Sequence, residues 1–216
     1  MLKLLFPPKC PLCRRVLTHA QVDLCPECEK NAPFFTKEKI KLSFIARWTS
    51  VWYYKDNVRQ SLLRYKFGRQ RAYAQSYSRL LAQKLRQCGM DRVDALVWVP
   101  ISRLRRWRRG FDQVELLAQN LSRELAIPAL PVLKKVRHTP PQSRLKYAAQ
   151  RRANVLGAYA LTDPQAVKDM RLLLLDDILT TGATVTECAR VLTQAGPAQI
   201  LCATMAVAPH DKKNSK

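Results

Sequence analysis

No stretch of this chain is both long enough and apolar enough to cross a membrane. The one long uncharged window, Val191 to Pro209, is broken by Gln194, Gly196-Pro197 and Gln199, and divides into a helix end and a strand. A secretion signal is missing too, because MLKLLFPPKC has only a few apolar residues before Pro7-Pro8. The expectation is a cytoplasmic protein. Acids are scarce: 16 Asp plus Glu face 38 Lys plus Arg, a net charge of +22. Such an imbalance implies an acidic partner, and diphosphates, nucleic acid and anionic membrane all qualify. The excess is concentrated in residues 97–152, where 13 Lys or Arg meet 3 acids. Histidine is rare, and His138, with no partner evident, reads as a surface residue before an acid–base catalyst. What is present suffices for a core: 216 residues, 47% of them hydrophobic, fit one ordinary domain and a small appendage.

The organising stretch is RLLLLDDILTTGAT, residues 171–184. Four leucines followed at once by two acids and a threonine-glycine turn predict a buried parallel strand that ends at a ligand. Val185, Ala189 and Leu192 then fall at helical spacing and predict a helix running toward Gly196-Pro197. In the order strand, small-residue loop, helix, the N–H groups of Thr180, Thr181, Gly182, Ala183 and Thr184 and the positive helix end converge, which suits a phosphate. Asp176 and Asp177 beside that cradle suit vicinal sugar hydroxyls or a divalent cation. The expected ligand is a phosphorylated sugar. The stretch resembles the phosphoribosyl diphosphate (PRPP) motif of type I phosphoribosyltransferases. That resemblance implies an acidic pair on the ribose 2- and 3-hydroxyls and a loop around the 5-phosphate.

Cys10, Cys13, Cys25 and Cys28 form two C-x2-C pairs eleven residues apart, a tetrahedral sulfur set suited to a structural zinc ion. Disulfides are the other reading, which the missing secretion signal opposes, and an iron–sulfur centre is a minor alternative. Residues 1–33 are expected to be this knuckle, 34–46 a linker and 47–216 the main domain. The knuckle is too short for a core of its own, so metal binding would supply its folding energy. Cys88, Cys188 and Cys202 read as buried packing.

Strands are predicted at 48–54, 93–99 and 129–134, with helices from Asp56 to about Gly68 and over 72–85. Lys66 and Arg69, at the end of the first of these helices, read mainly as an offset to its dipole. After the 93–99 strand comes PISRLRRWRRGFDQ, read as a basic loop on the same sheet edge as the phosphate cradle. Arg103, Arg105, Arg106, Arg108 and Arg109 can bind diphosphate oxygens as forks. A solvated basic loop is one alternative; nucleic-acid backbone contact, with Trp107 or Phe111 stacked on a base, is another. Residues 137–159 begin at Pro140-Pro141, continue as a short basic helix, and resume strand character from Val155 to Leu161. They read as a hood over the site, with Arg137, Thr139, Gln142, Arg144, Arg151, Arg152 and Asn154 as its polar candidates.

Together, VPISRLRRWRRGFDQ, the R-x-T-P-P-Q run, RRANVLGAY and the acidic-pair loop, preceded by the cysteine knuckle, resemble the ComF family, which includes the competence protein ComFC and the DNA-utilisation protein GntX. The resemblance covers nearly the whole chain. It implies an α/β fold, a type I phosphoribosyltransferase-like parallel sheet flanked by helices, with a four-cysteine zinc knuckle at the N-terminus. It also implies PRPP or a related ribosyl phosphate bound with Mg2+, and a role in processing imported DNA. Two other roles stay open: a non-catalytic adaptor that holds single-stranded DNA or a helicase-like partner of the uptake machinery, and nucleobase salvage. The chain departs from the family at Asp112, where Asn is usual, which sets a negative charge beside an anion site. It departs from hypoxanthine-type salvage enzymes at Thr180, where they place an acid, and this weakens a purine salvage role.

Overall fold

The computed structural model describes residues 7–18, 23–36, 40–137, 139 and 148–209. Its elements are α1 (Pro26–Asn31), β1 (Arg47–Tyr53), α2 (Asp56–Phe67), α3 (Tyr73–Cys88), β2 (Ala95–Trp98), α4 (Arg103–Arg109), α5 (Gln113–Leu125), β3 (Leu133–Lys135), α6 (Ala148–Val155), β4 (Tyr159–Leu161), β5 (Arg171–Leu179), α7 (Ala183–Thr193) and β6 (Gln199–Val207). The main sheet has the order β1-β6-β5-β2, and each neighbouring pair is parallel. Strands β3 and β4 form a separate antiparallel pair.

An all-parallel sheet must be covered on both faces, and β5 shows how its sequence meets that demand. Leu172 to Leu175 are all fully buried, but strand alternation sends them to opposite sides. Leu173 and Leu175 join Leu62 of α2, Leu81 of α3 and Leu117 of α5 in one core. Leu172 and Leu174 join Val185 and Leu192 of α7 and Tyr159 of β4 in the other. Each buried leucine stabilises the fold by about 1.5–3 kcal/mol. The run therefore fixes β5 at the centre, and β5 in turn fixes where the two acids at its end emerge.

The cysteine knuckle packs against the first core. Leu12, Leu17 and Leu24 share it with Val58 and Leu62 of α2 and with Tyr73. Arg64 of α2 donates to the carbonyls of Pro11 (2.9 Å) and Leu12 (2.7 Å), and Arg79 of α3 pairs with Asp23 at 2.5 Å. Part of the stretch read as a linker is also pinned. Phe34 bridges antiparallel to Trp52, Phe35 N–H donates to Val51 O (2.9 Å), and Leu42 and Ile45 enter the second core.

The arginine run is a correction to the sequence reading. It is a helix, α4, opened by Ser102, whose hydroxyl accepts from Arg105 N–H (3.4 Å), and closed by Gly110 at φ +76°. Val155 closes α6 instead of opening a strand. Among the described residues no helix is long and apolar enough to cross a membrane.

Candidate functional site

At the C-terminal end of β5 the alternation that divides the leucines also divides the acids. Asp176 has the parity of Leu172 and Leu174, and Asp177 that of Leu173 and Leu175. Both lie beyond Trp98, the last β2 residue paired to β5. Asp177 is 7% exposed and fully engaged. Its Oδ1 meets Lys66 Nζ at 2.9 Å, and its Oδ2 accepts from Gln113 Nε2 at 2.8 Å. Asp176 is partly exposed; its Oδ1 accepts from the N–H of Asp177 (2.8 Å). Burial, with the Asp177 charge beside it, pushes the Asp176 carboxyl up to about 8.

The loop expected to cradle a phosphate follows. Gly182 stands at φ +77° and caps α7, whose first-turn N–H groups have no acceptor within the helix. Thr181 Oγ1 accepts from Ala183 N–H at 3.5 Å, and Thr180, Thr181 and Thr184 remain partly exposed. Leu42 presses on the loop so closely that a Cβ at Gly182 would overlap its Cδ2. Gly182→Ala therefore meets both a left-handed backbone and a buried obstacle. We expect it to lose about 1–3 kcal/mol of stability, read as a lower thermal midpoint. An unchanged midpoint would show that Leu42 yields freely.

Helix α4 follows β2 and brings Arg109 within electrostatic reach of Asp177, while Arg105 acts on Lys135 and Tyr159, which Asp176 also reaches. Arg109 donates to Gln113 Oε1 (2.7 Å) and lies over the Phe67 ring at 4.9 Å, while Arg105 donates to Thr139 O (2.9 Å). Burial lowers the Arg109 pKa, against the pull of Asp177. Arg106 turns away to pair with Glu115 at 2.7 Å, and Arg103 and Arg108 are exposed. Asp112 is buried and caps α5: its Oδ1 accepts from Val114 (2.9 Å) and Glu115 (3.2 Å), and its Oδ2 from Ile101 (3.0 Å). Three backbone donors converge there, so a carboxylate fits better than an amide, whose NH2 would face a donor. The departure at this position is thus an α5 cap, with its charge directed into backbone N–H groups.

Of the hood candidates, Gln142 and Arg144 lie outside the described residues, as does His138. Thr139 is buried against Arg105, and Arg137 donates to the carbonyls of Asn154 (3.2 Å) and Leu156 (2.7 Å), fastening the segment to α6. Arg151, Arg152 and Asn154 belong to α6. The sequence reading missed Gln113, Lys135 and Tyr159 here, and took Lys66 mainly as an offset to a helix dipole. Lys135 of β3 donates to Tyr159 OH (3.2 Å) and lies 4.9 Å from that ring. Burial and the Arg105 charge bring its pKa down to about 8, with Cys188 and Asp176 opposing. Gln113 ends PISRLRRWRRGFDQ, a stretch already noticed; nothing local marked Lys135.

The sulfurs of Cys10, Cys13, Cys25 and Cys28 lie within 4.8 Å of one another, with Cys13 and Cys25 at 3.5 Å. A tetrahedral ion with Zn–S of about 2.3 Å requires sulfurs about 3.8 Å apart, so the set fits one zinc. Three of the four cysteines are buried and no position is left for a substrate, as in a structural site.

Residues 115–216 match the phosphoribosyl transferase domain model, and residues 1–40 match the double zinc ribbon domain model. Residues 1–40 contain four cysteines, thiolates enough for one ion. Matched domain and cysteine cluster together support a structural zinc. The chain is 32% identical over 182 residues to competence protein F of Haemophilus influenzae, covering 82% of this chain and 75% of that one. It is 32% identical over 209 residues to the DNA utilization protein YhgH of Salmonella typhimurium, covering 91% and 90%. It is 29% identical over 191 residues to competence protein ComFC of Bacillus subtilis, covering 88% and 73%.

Proposed function

The chain belongs to the ComF family of competence and DNA-utilization proteins, and from that premise we propose that it binds PRPP or a related ribosyl phosphate, with Mg2+, in the processing of imported DNA. The observation that carries this reading is the placing, after β5, of an acid with one oxygen in no hydrogen bond among the described residues, an N–H cradle at the start of α7, and Arg109 of α4 acting on the neighbouring Asp177. The Asp176 carboxylate would hold the cation or the ribose hydroxyls, the loop 180–184 the 5-phosphate, and the two arginines the diphosphate. Transfer would break the C1–oxygen bond to diphosphate and form a bond from C1 to an acceptor nucleophile. The arginines would receive the negative charge on the departing diphosphate, so its departure needs no protein nucleophile. Calorimetric titration of PRPP with Mg2+ into zinc-loaded protein tests the binding, with saturable heat expected. Diphosphate release over candidate bases and DNA then tests the transfer. PRPP binding with every acceptor inert would sink the enzyme and leave a binding protein.

A second reading has its own observation. Trp107 is 81% exposed on α4 between the exposed Arg106 and Arg108, a pairing of ring and cations suited to single-stranded nucleic acid. If α4 takes a strand this way, affinity for an oligonucleotide falls steeply with salt, by a log–log slope of about 0.7 per phosphate neutralised. Trp107→Ala weakens binding without changing that slope. A flat salt response would remove this reading.

A further inference from the structure

We propose that the cavity between the cysteine knuckle and the end of α2 is a second anion site, which takes the terminal phosphate of a nucleotide, free or at the end of an oligonucleotide. It stands apart from the ribosyl-phosphate reading of β5 and does not depend on it. Among the described residues the cavity measures about 260 Å3 and is lined by Lys9, Arg14, Arg64, Gly68, Gln70 and Tyr73. Three of the six are cations and none is an acid. None of the three cations has an ion-pair partner within bridging distance among the described residues. Arg64 Nε is buried with no acceptor there. Like charges gathered in one hollow repel each other, and a bound anion relieves that repulsion.

The knuckle builds one wall of the cavity. Lys9 bridges antiparallel to Val16, and Arg14, at φ +70°, donates its N–H to Cys10 O at 2.8 Å. The turn that carries Cys10 and Cys13 therefore also carries two of the three cations. The other wall is the end of α2. Arg64 Nη2 donates to the carbonyls of Pro11 (2.9 Å) and Leu12 (2.7 Å), which fixes the guanidinium before any ligand arrives. A Cβ at Gly68 would stand 2.7 Å from Arg64 O, so the turn that returns Gln70 and Tyr73 to the cavity requires glycine. Arg64 and Lys66 are two residues apart, about 200° around the helix axis. Lys66 meets Asp177 at 2.9 Å on one side, and Arg64 addresses the knuckle on the other. A phosphate monoester carries about 1.5–2 negative charges near pH 7, whereas a backbone diester carries about one. Three converging cations favour the monoester, whose oxygens an arginine fork matches. The cavity is smaller than the roughly 300 Å3 at which drug-sized ligand pockets begin, so it holds a head group and leaves the rest of the ligand outside.

The test is the rate at which an amine reagent acetylates Lys9 in zinc-loaded protein, followed by mass spectrometry with and without ligand at constant ionic strength. Adenosine monophosphate and an oligonucleotide phosphorylated at one end carry the monoester; the same oligonucleotide ending in a hydroxyl is the control. A phosphorylated probe should slow the acetylation severalfold, and which of the two does so identifies the source. Arg14→Gln should raise the concentration needed for that protection by about tenfold or more. Arg15→Gln, on the same turn but outside the cavity, should leave it unchanged. Both side chains are exposed, so both variants should fold. Equal protection by the hydroxyl-ended oligonucleotide would replace the monoester site with a backbone groove and overturn the proposal. Equal losses in Arg14→Gln and Arg15→Gln, or no protection by any probe, would overturn it as well. The footprint is read at Lys9, so failure of PRPP to bind at β5 would leave this result standing.

Discussion

Asp176→Asn is expected to weaken PRPP binding by at least about 30-fold while leaving the protein at least as stable as wild type. The affinity loss follows from removing the carboxyl group that takes the ribose hydroxyls, or takes the cation on giving up its proton, an effect of about 2–5 kcal/mol, or roughly 30- to 5,000-fold. The stability follows from the pKa. The Asp176 carboxyl is raised to about 8 by burial and by Asp177, while an unfolded aspartate titrates near 3.9. The folded state therefore holds this proton more tightly than the unfolded state, and stability falls as pH rises from about 4 through 8. Asparagine has the same shape and no such titration, so the difference in thermal midpoint between variant and wild type should widen between pH 5 and pH 8. Binding within severalfold of wild type would remove Asp176 from the ligand. A variant less stable than wild type at pH 8 would mean that the ionised carboxylate is itself a structural partner.

Periodic burial made the centre of the fold legible. LLLLDD could be read as a buried strand because every leucine enters one of two cores, and the α7 stripe could be read because Val185, Ala189 and Leu192 pack on the same side. Helix α4 was not legible, because none of its seven residues is buried and an arginine run has no apolar stripe to set a period. Its form is decided at its ends, by Ser102 and Gly110. The role of Lys66 was hidden for another reason: its partner Asp177 is on a strand distant in sequence, and a lysine at a helix end has a sufficient local explanation. Asp112 shows the same limit. From sequence it is a charge near an anion site, and only the convergence of three backbone N–H groups identifies it as a cap.

The other large effect expected is from zinc. A structural zinc in a small finger binds with an apparent free energy of about 10–16 kcal/mol, comparable with the whole stability of an ordinary domain, about 5–15 kcal/mol. On a flexible tether, the knuckle would lose only itself when stripped of metal. Here Leu12, Leu17 and Leu24 line the core that α2 and α3 also line, and the carbonyls of Pro11 and Leu12 hold Arg64. Chelation, or Cys25→Ser, should therefore lower the thermal midpoint of the whole protein and speed amide exchange along residues 56–88, beyond the knuckle itself. Lys66 lies two residues past Arg64 on the same helix, so loosening α2 should also weaken PRPP binding. Readdition of zinc should restore all three readouts in the chelated wild type and none in Cys25→Ser. Exchange that rises only within residues 7–32, with the midpoint unchanged and zinc verified absent by elemental analysis, would show that the shared core does not depend on the metal.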